Sequence, residues 1–338
     1  MMKDSPKRVT LADISAQTGY TMNTVSRALR NMSDISLSTR ESIQRVAAEM
    51  GYVRNFMASS LRSGRSRTVA VIVGGVNNPF YAIMVDTIHI VARQMGYTVL
   101  IMCSRDNADQ EAEAITAAIE RQAEGVILYP SPSSLHSVVM LRQATLTCVL
   151  ASRLVEGAAC DSAVCDEEMG GYLAGKHLIE RGCRKLVYFS KFYVPFTSDM
   201  RTRGFHRAAR EAGIPEGDVL EYRYAGDADA SMQMQRWKRD GYNGVFAFCD
   251  DEAWQFVSLA DSLGLRNSFA IVGFDNIQQT IPFPSNLCTI DGAMAQIAGN
   301  AMQLLDRRIR DYNAPIQKLT FPVRLVCRGG CEIATRDH

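Results

Sequence analysis

The chain has no apolar run approaching the roughly 18–20 residues that cross a bilayer, so a membrane span is not expected. Its first residues also lack the uninterrupted apolar stretch of a signal peptide, because Lys3, Asp4, Lys7 and Arg8 arrive at once. A cytoplasmic location is the expectation. Cysteine is too sparse for a disulfide-stapled secreted domain: nine are scattered over the chain, and Cys103, Cys148, Cys249 and Cys327 sit inside apolar runs. Phosphate-cradling signatures are missing too. Gly74-Gly75-Val76-Asn77 does not follow the Gly-x-Gly-x-x-Gly spacing, and no Walker lysine motif occurs. His89, His136, His177 and His206 form no triad or ligand spacing in the linear sequence. Cys327-Arg328-Gly329-Gly330-Cys331 has a metal half-site's look but no convincing His or Cys partner nearby, and Cys327 continues a strand-like Val323-Arg324-Leu325-Val326. Neither a cofactor, nor a metal, nor a catalytic centre is expected.

What is present is an ordinary globular composition, 47% hydrophobic and 22% charged, spread over 338 residues, which is length for two or three domains. The near-neutral total hides an asymmetry. Residues 1–67 carry 11 Lys/Arg against 5 Asp/Glu, whereas the remainder carries 26 against 31. A basic head on an acidic body suggests that the head meets a polyanion, although six excess charges could also be a solvated surface.

The head reads as three short helices. Thr10 is placed to cap a helix from Leu11 to about Thr18, with Asp13 in its first turn and Gly19 at its end. Thr21 then caps a second helix, Met22 to Arg30, whose inward residues are Val25, Ala28 and Leu29. A third helix is expected from Thr39, with Ile43, Val46, Ala47 and Met50 at helical spacing. Two helices across a tight glycine turn form a helix-turn-helix pattern. Met22, Asn23 and Arg27 face outward near the start of the second helix, and these side chains suit thymine methyls, adenine and guanine respectively. Thr10, Thr21, Thr24, Ser26 and Arg40 are candidates for phosphate contacts. A helical hairpin that mediates protein contacts would explain the turn but not this convergence of side chains.

Leu11-Ala12-Asp13-Ile14-Ser15-Ala16-Gln17-Thr18-Gly19, then Thr24-Val25-Ser26-Arg27-Ala28-Leu29, resembles the head of the lactose-repressor/galactose-repressor (LacI/GalR) family. Ile35-Ser36, Thr39-Arg40 and Met50-Gly51-Tyr52 extend the match over more than forty residues. The resemblance implies that Met22, Asn23 and Arg27 read bases. It implies further that Asn55 to Leu61 is a hinge helix on the minor groove, with Ala58 packed on the groove and Leu61 wedged between base steps. Arg54 departs from the family's usual proline. The resulting segments are a helix-turn-helix head over 8–54, a hinge helix and linker over 55–64, and an effector-binding and dimerisation body over 65–338.

The body alternates short apolar runs with helical patterns, beginning with Val69-Ala70-Val71-Ile72-Val73 and restarting after Asp166, which reads as two doubly wound parallel sheets. The expected fold is therefore α/β, two-lobed and periplasmic-binding-protein-like. Lobe 1 would span about 67–163 plus 290–320, and lobe 2 about 164–289 plus 322–336. The resemblance adds three hinge crossings, the late ones near Thr289-Ile290 and Phe321-Pro322. In the cleft, Asn78 and Phe80 match an Asn-Pro-Phe signature, and Arg201 matches Arg-x-x-Gly-Phe. Asp250 matches Asp-x-x-Ala, and Asp275 is the expected acidic contact. Arg153 is a further candidate, while Asp250 could instead only cap a helix. Cys249 stands where the family often has Asn or Ser. Together these imply a repressor-type homodimer, without a leucine-repeat tetramerisation tail, that reads near-palindromic operator DNA under control of a small polar effector. A sugar or sugar phosphate fits Arg201 and Asp275, with a purine stacked on Phe80, Tyr81 and Phe274 as the alternative.

Overall fold

The computed structural model describes residues 8–53, 64–132, 134–191, 196–280 and 286–331. Asn55, Ala58 and Leu61 lie outside the described residues. The chain divides into two compact units, 1–66 and 67–338.

In the first unit, α1 (Leu11–Thr18), α2 (Met22–Ala28) and α3 (Leu37–Glu49) surround a miniature core of Ile14, Val25, Ala28, Ile43 and Ala47. Leu29 and Val46, both expected inside, are only half-buried. The first cap is stronger than its sequence suggests. Thr10 Oγ1 accepts from the Asp13 amide, and Asp13 answers by accepting from the Thr10 amide at 2.8 Å, a reciprocal capping box. The third helix begins two residues before the expected Thr39, because Ser36 is the residue that caps it. Ser36 Oγ accepts from the Thr39 amide, which places Thr39 inside the first turn.

The second unit holds two six-stranded sheets. The first contains β1 (Thr68–Val73), β2 (Thr98–Cys103), β3 (Gly125–Leu128), β4 (Thr147–Ala151), β5 (Asp161–Cys165) and β11 (Lys318–Phe321), in the order β11-β5-β4-β3-β1-β2 and wholly parallel. The second contains β6 (Leu186–Ser190), β7 (Val219–Arg223), β8 (Gly244–Ala247), β9 (Ala270–Phe274), β10 (Cys288–Asp291) and β12 (Arg324–Val326), in the order β12-β10-β9-β8-β6-β7. Only β12 runs antiparallel, paired to β10. Helices cover both faces of these sheets. Val69 through Val73 are accordingly buried without interruption, as a central parallel strand requires.

The chain changes lobe after Cys165, after Asp291 and after Phe321. The second change falls just beyond the expected Thr289-Ile290, because both residues pair within the lobe 2 sheet. The first falls at the end of β5 rather than at 163. The helices are α4 (Pro79–Gln94), α5 (Ala108–Glu120), α6 (Leu135–Gln143), α7 (Glu167–Glu180), α8 (Thr197–Glu211), α9 (Asp227–Asp240), α10 (Asp250–Ser262) and α11 (Met294–Arg310).

Two glycines set the spacing of α7 and α8. A Cβ on Gly204 would lie 1.8 Å from the Glu168 carbonyl oxygen, and one on Gly171 would lie 1.9 Å from that of Arg201. Backbone meets backbone here, so no side-chain adjustment can relieve an added methyl. Gly204→Ala should lower the stability of the chain by at least about 1–3 kcal/mol, the range for overpacked cores. A urea-denaturation midpoint equal to that of the unsubstituted chain would contradict the packing argument.

Candidate functional site

In the head, Met22 and Asn23 are exposed, with Met22 at 57%. Arg27 is half-buried and ion-paired to Asp34, which the sequence reading did not single out. Thr21 accepts from the Thr24 amide at 3.2 Å, so it caps α2, and its hydroxyl also meets that of Thr24. Ser26 is half-buried, and its carbonyl accepts from Arg30. Arg40 is engaged within the head. Its guanidinium donates to the carbonyls of Met32 at 2.9 Å and Ile35 at 3.1 Å, tying the loop before α3.

In the body, the cleft residues come from strand ends and helix starts. Asn78 Oδ1 accepts from the Phe80 amide at 2.9 Å and caps α4, with Pro79 filling the first helical position. This turns the half-buried Phe80 ring toward Tyr81 and Tyr129 in edge-on contacts at 5.2 and 6.4 Å. Arg153 donates to Asp106 at 2.7 Å and to the Pro130 carbonyl at 3.0 Å. Tyr81 also donates to Asp106, at 3.4 Å. Burial raises the Tyr81 hydroxyl to about 12, with Arg153 opposing the shift and Asp106 adding to it.

On the lobe 2 side the organising group is Arg201, which is 5% exposed. Its Nε donates to Glu167 at 2.7 Å, and Nη1 donates to the Phe248 carbonyl. The guanidinium lies 3.5 Å from the Phe274 ring centre and 4.5 Å from that of Phe248. Burial opposes its charge, but the nearby Glu167 and Asp275 carboxylates outweigh burial and hold it firmly protonated. Asp275 is buried, and no described residue donates a hydrogen bond to its carboxylate. It stands at φ +108°, followed by Asn276 at +58°. Two successive non-glycine residues in this region are strained, a cost that concentrates at binding sites. Burial pushes the Asp275 carboxyl well up, Arg201 pulls it back, and Asp250 and Glu167 reinforce the rise.

Asp250 is committed inside the protein. It accepts from the Ile277 amide at 2.9 Å and from the Thr289 hydroxyl at 2.5 Å, so it braces the segment carrying Asp275. It occupies the first position of α10 without capping that helix, because its oxygens are spent on Ile277 and Thr289 instead. Cys249, at the N-cap of α10, makes no side-chain cap bond, in keeping with the loss of a polar group there. Glu167, Glu252 and Asp106 were not singled out from the sequence. The Asp166-Glu167-Glu168 run at a helix start was the available signal for the first, but it reads equally as N-terminal charge.

Burial raises Asp250 to about 7 and Glu252 to about 8, with the Thr289 hydroxyl and the Lys191 amide respectively opposing the rise. Both folded values exceed the unfolded carboxylate range near pH 4. The folded state therefore binds more protons than the unfolded state between about pH 4 and 8, and stability falls across that window as pH rises. Urea denaturation at pH 5 and pH 8 should show lower stability at pH 8, with a smaller difference in Asp250→Asn and Glu252→Gln. An unchanged difference in both variants would contradict the assignment.

Three family models match the chain. "Bacterial regulatory proteins, lacI family" covers residues 10–55, "Periplasmic binding proteins and sugar binding domain of LacI family" covers 66–228, and "Periplasmic binding protein-like domain" covers 176–331. Among curated relatives, the HTH-type transcriptional repressor PurR of Vibrio vulnificus is 27% identical over 310 residues, covering 89% of this chain and 92% of the relative. Catabolite control protein A of Priestia megaterium is 25% identical over 326 residues, covering 95% and 98%. The lac repressor dimer bound to operator and the anti-inducer ONPF superposes with a TM-score of 0.82 at 20% identity, covering 97% of this chain and 100% of that one. The CelR–cellobiose complex superposes with a TM-score of 0.65 at 22% identity, covering 94% and 98%.

Proposed function

Because the chain belongs to the LacI/GalR family of transcriptional regulators, we propose that it is a homodimeric repressor whose two heads read a near-palindromic operator and whose cleft binds a neutral, polyhydroxylated sugar. The observation that carries the effector reading is the charge balance of the cleft. Burial holds Asp275 and Glu252 toward their neutral acid forms, while Arg201 is neutralised by Glu167 and Arg153 by Asp106. A phosphate would need cations that these acids already engage. Sugar hydroxyls, in contrast, donate to Asp275 and accept from the arginines without adding charge. Phe80 offers its half-buried face to the apolar side of a ring.

A purine is supported less well. Of the three rings that would stack it, Tyr81 is buried in a hydrogen bond to Asp106, and Phe274 lies beneath Arg201. Phe80 is left alone.

For the DNA reading, the exposed Met22 and Asn23 sit at the start of α2 beside Arg27, where a helix entering the major groove presents its base contacts. The Arg27–Asp34 pair must open for Arg27 to reach guanine, and the modest worth of a surface ion pair makes that exchange feasible.

The full chain should recover a near-palindromic site from a random duplex library. Arg27→Ala should then cost about 1–3 kcal/mol on that site, with little change on scrambled duplex. Equal affinity of the unsubstituted chain for both duplexes, at low and at physiological salt, would overturn the DNA reading.

For the effector, calorimetry of the full chain against neutral sugars, sugar phosphates and purines should give a neutral sugar as the tight binder, with binding lost in Asp275→Ala. A tight purine or sugar phosphate, or a sugar that binds Asp275→Ala unchanged, would overturn the effector reading while leaving the DNA reading standing.

A further inference from the structure

The Cys327–Cys331 pair lacks a partner in the linear sequence, but the fold supplies two. Cys288 opens β10, and His177 lies on the buried face of α7. His177 Nε2 is 3.0 Å from Cys331 Sγ, and Cys288 Sγ lies 3.2 Å from Cys331 Sγ and 3.4 Å from Cys327 Sγ. All four ligand atoms fall within 4.8 Å of one another. The three thiols are free, and their separations far exceed the roughly 2.05 Å of a disulfide bond.

From this geometry we infer that His177, Cys288, Cys327 and Cys331 form a closed Cys3His site for a thiophilic divalent ion of the Zn2+ class. Tetrahedral zinc, with Zn–S near 2.3 Å, sets its sulfurs about 3.8 Å apart, a value bracketed by the closest contacts and the widest separation here. Soft thiolates with one imidazole select such an ion over magnesium or calcium. Four protein ligands leave no open position, so the site is structural rather than catalytic.

The surroundings fit three thiolates. The Arg328 amide donates to Cys288 Sγ at 3.4 Å, and Arg181 donates to Cys327 Sγ at 3.5 Å. An outer shell of this kind orients ligands and offsets the net negative charge of a three-thiolate zinc centre. The backbone is also adapted to bring the two ends of the motif together. Gly329 takes φ +85°, and the Gly330 amide donates to the Asn286 carbonyl at 2.7 Å, so close that a Cβ on Gly330 would lie 2.1 Å from that oxygen. Cys327 is exposed and gives the ion a path in from solvent. Binding would displace the thiol protons to solvent and fasten the end of the antiparallel β12 to β10 and α7, at the end of the sheet away from Asp275.

The test uses the reduced, metal-stripped full chain titrated with Co2+ and then Zn2+. One equivalent of Co2+ should give the tetrahedral ligand-field and thiolate charge-transfer absorption, which Zn2+ then displaces. Cys327→Ser removes an exposed ligand and so keeps the fold. It should weaken binding at least about 10–100-fold, the range already reached by outer-shell losses alone. Cys103→Ser, an exposed cysteine on another strand, should change nothing. Absence of stoichiometric uptake by the reduced chain, or a Cys327→Ser variant with unchanged affinity and spectrum, would overturn the assignment.

Discussion

The body is organised around a charge almost wholly withdrawn from water. Arg201 lies against Phe248 and Phe274 and stays ionised there chiefly because Glu167 meets it at 2.7 Å. Removing one partner of such a pair would leave the other buried and uncompensated, which costs far more than the pair contributes. The pairing in turn requires α7 and α8 to touch along their backbones, and this is what Gly171 and Gly204 permit. The glycine in the Arg-x-x-Gly-Phe element is therefore not an accessory to the arginine. It brings the acid that keeps the arginine charged.

The two lobes repeat this solution with different parts. Lobe 1 presents Arg153 held by Asp106, and lobe 2 presents Arg201 held by Glu167. Arg201 weakens the hold of Arg153 on its proton, and both arginines oppose the rise in Asp275 that burial causes. The two arginine–acid pairs thus share one electrostatic field, with Asp275 the one acid at its centre that no described donor satisfies. The positive φ values of Asp275 and Asn276 are held by Asp250, which braces the segment through the Ile277 amide and Thr289.

Much of this was legible in the sequence, and the parts that were not have identifiable causes. Apolar runs such as Val69–Val73 marked central strands because both faces of a parallel sheet are covered, but β7 reads Val-Leu-Glu-Tyr-Arg and β11 Lys-Leu-Thr-Phe. Edge strands keep one side polar and lose that signal. Arg201 and Asp275 were visible as motif positions, whereas Glu167 was hidden in a run of acids that looks like ordinary helix-start charge. Arg27 and Arg40 were correctly placed on the head, but their internal partners Asp34, Met32 and Ile35 depend on how a loop closes, which spacing does not encode. The Cys327–Cys331 pair was dismissed for lack of partners because Cys288 and His177 lie about 40 and 150 residues away, brought close only by strand order.

The three lobe crossings also behave as one device. β5 and β11 are paired neighbours that leave lobe 1 together, and the Asp166 amide bonds the Phe321 carbonyl at 3.0 Å just where they do. Arg324, immediately past the third crossing, pairs at 2.9 Å with Asp291, which ends the strand before the second. Below them the fully buried Asp161 gathers Arg307, Arg308 and the Gln317 amide, fixing the base of β5 and β11. The base is tied by two arginines to a carboxylate that water does not reach. At the crossings the ion pair is exposed, with Arg324 at 72%, where such a pair contributes little. The three crossing segments are thus tied to one another above a shared base, the arrangement in which a hinge moves as a unit. A ligand shifts an equilibrium between two forms of such a hinge only by its difference in affinity for them.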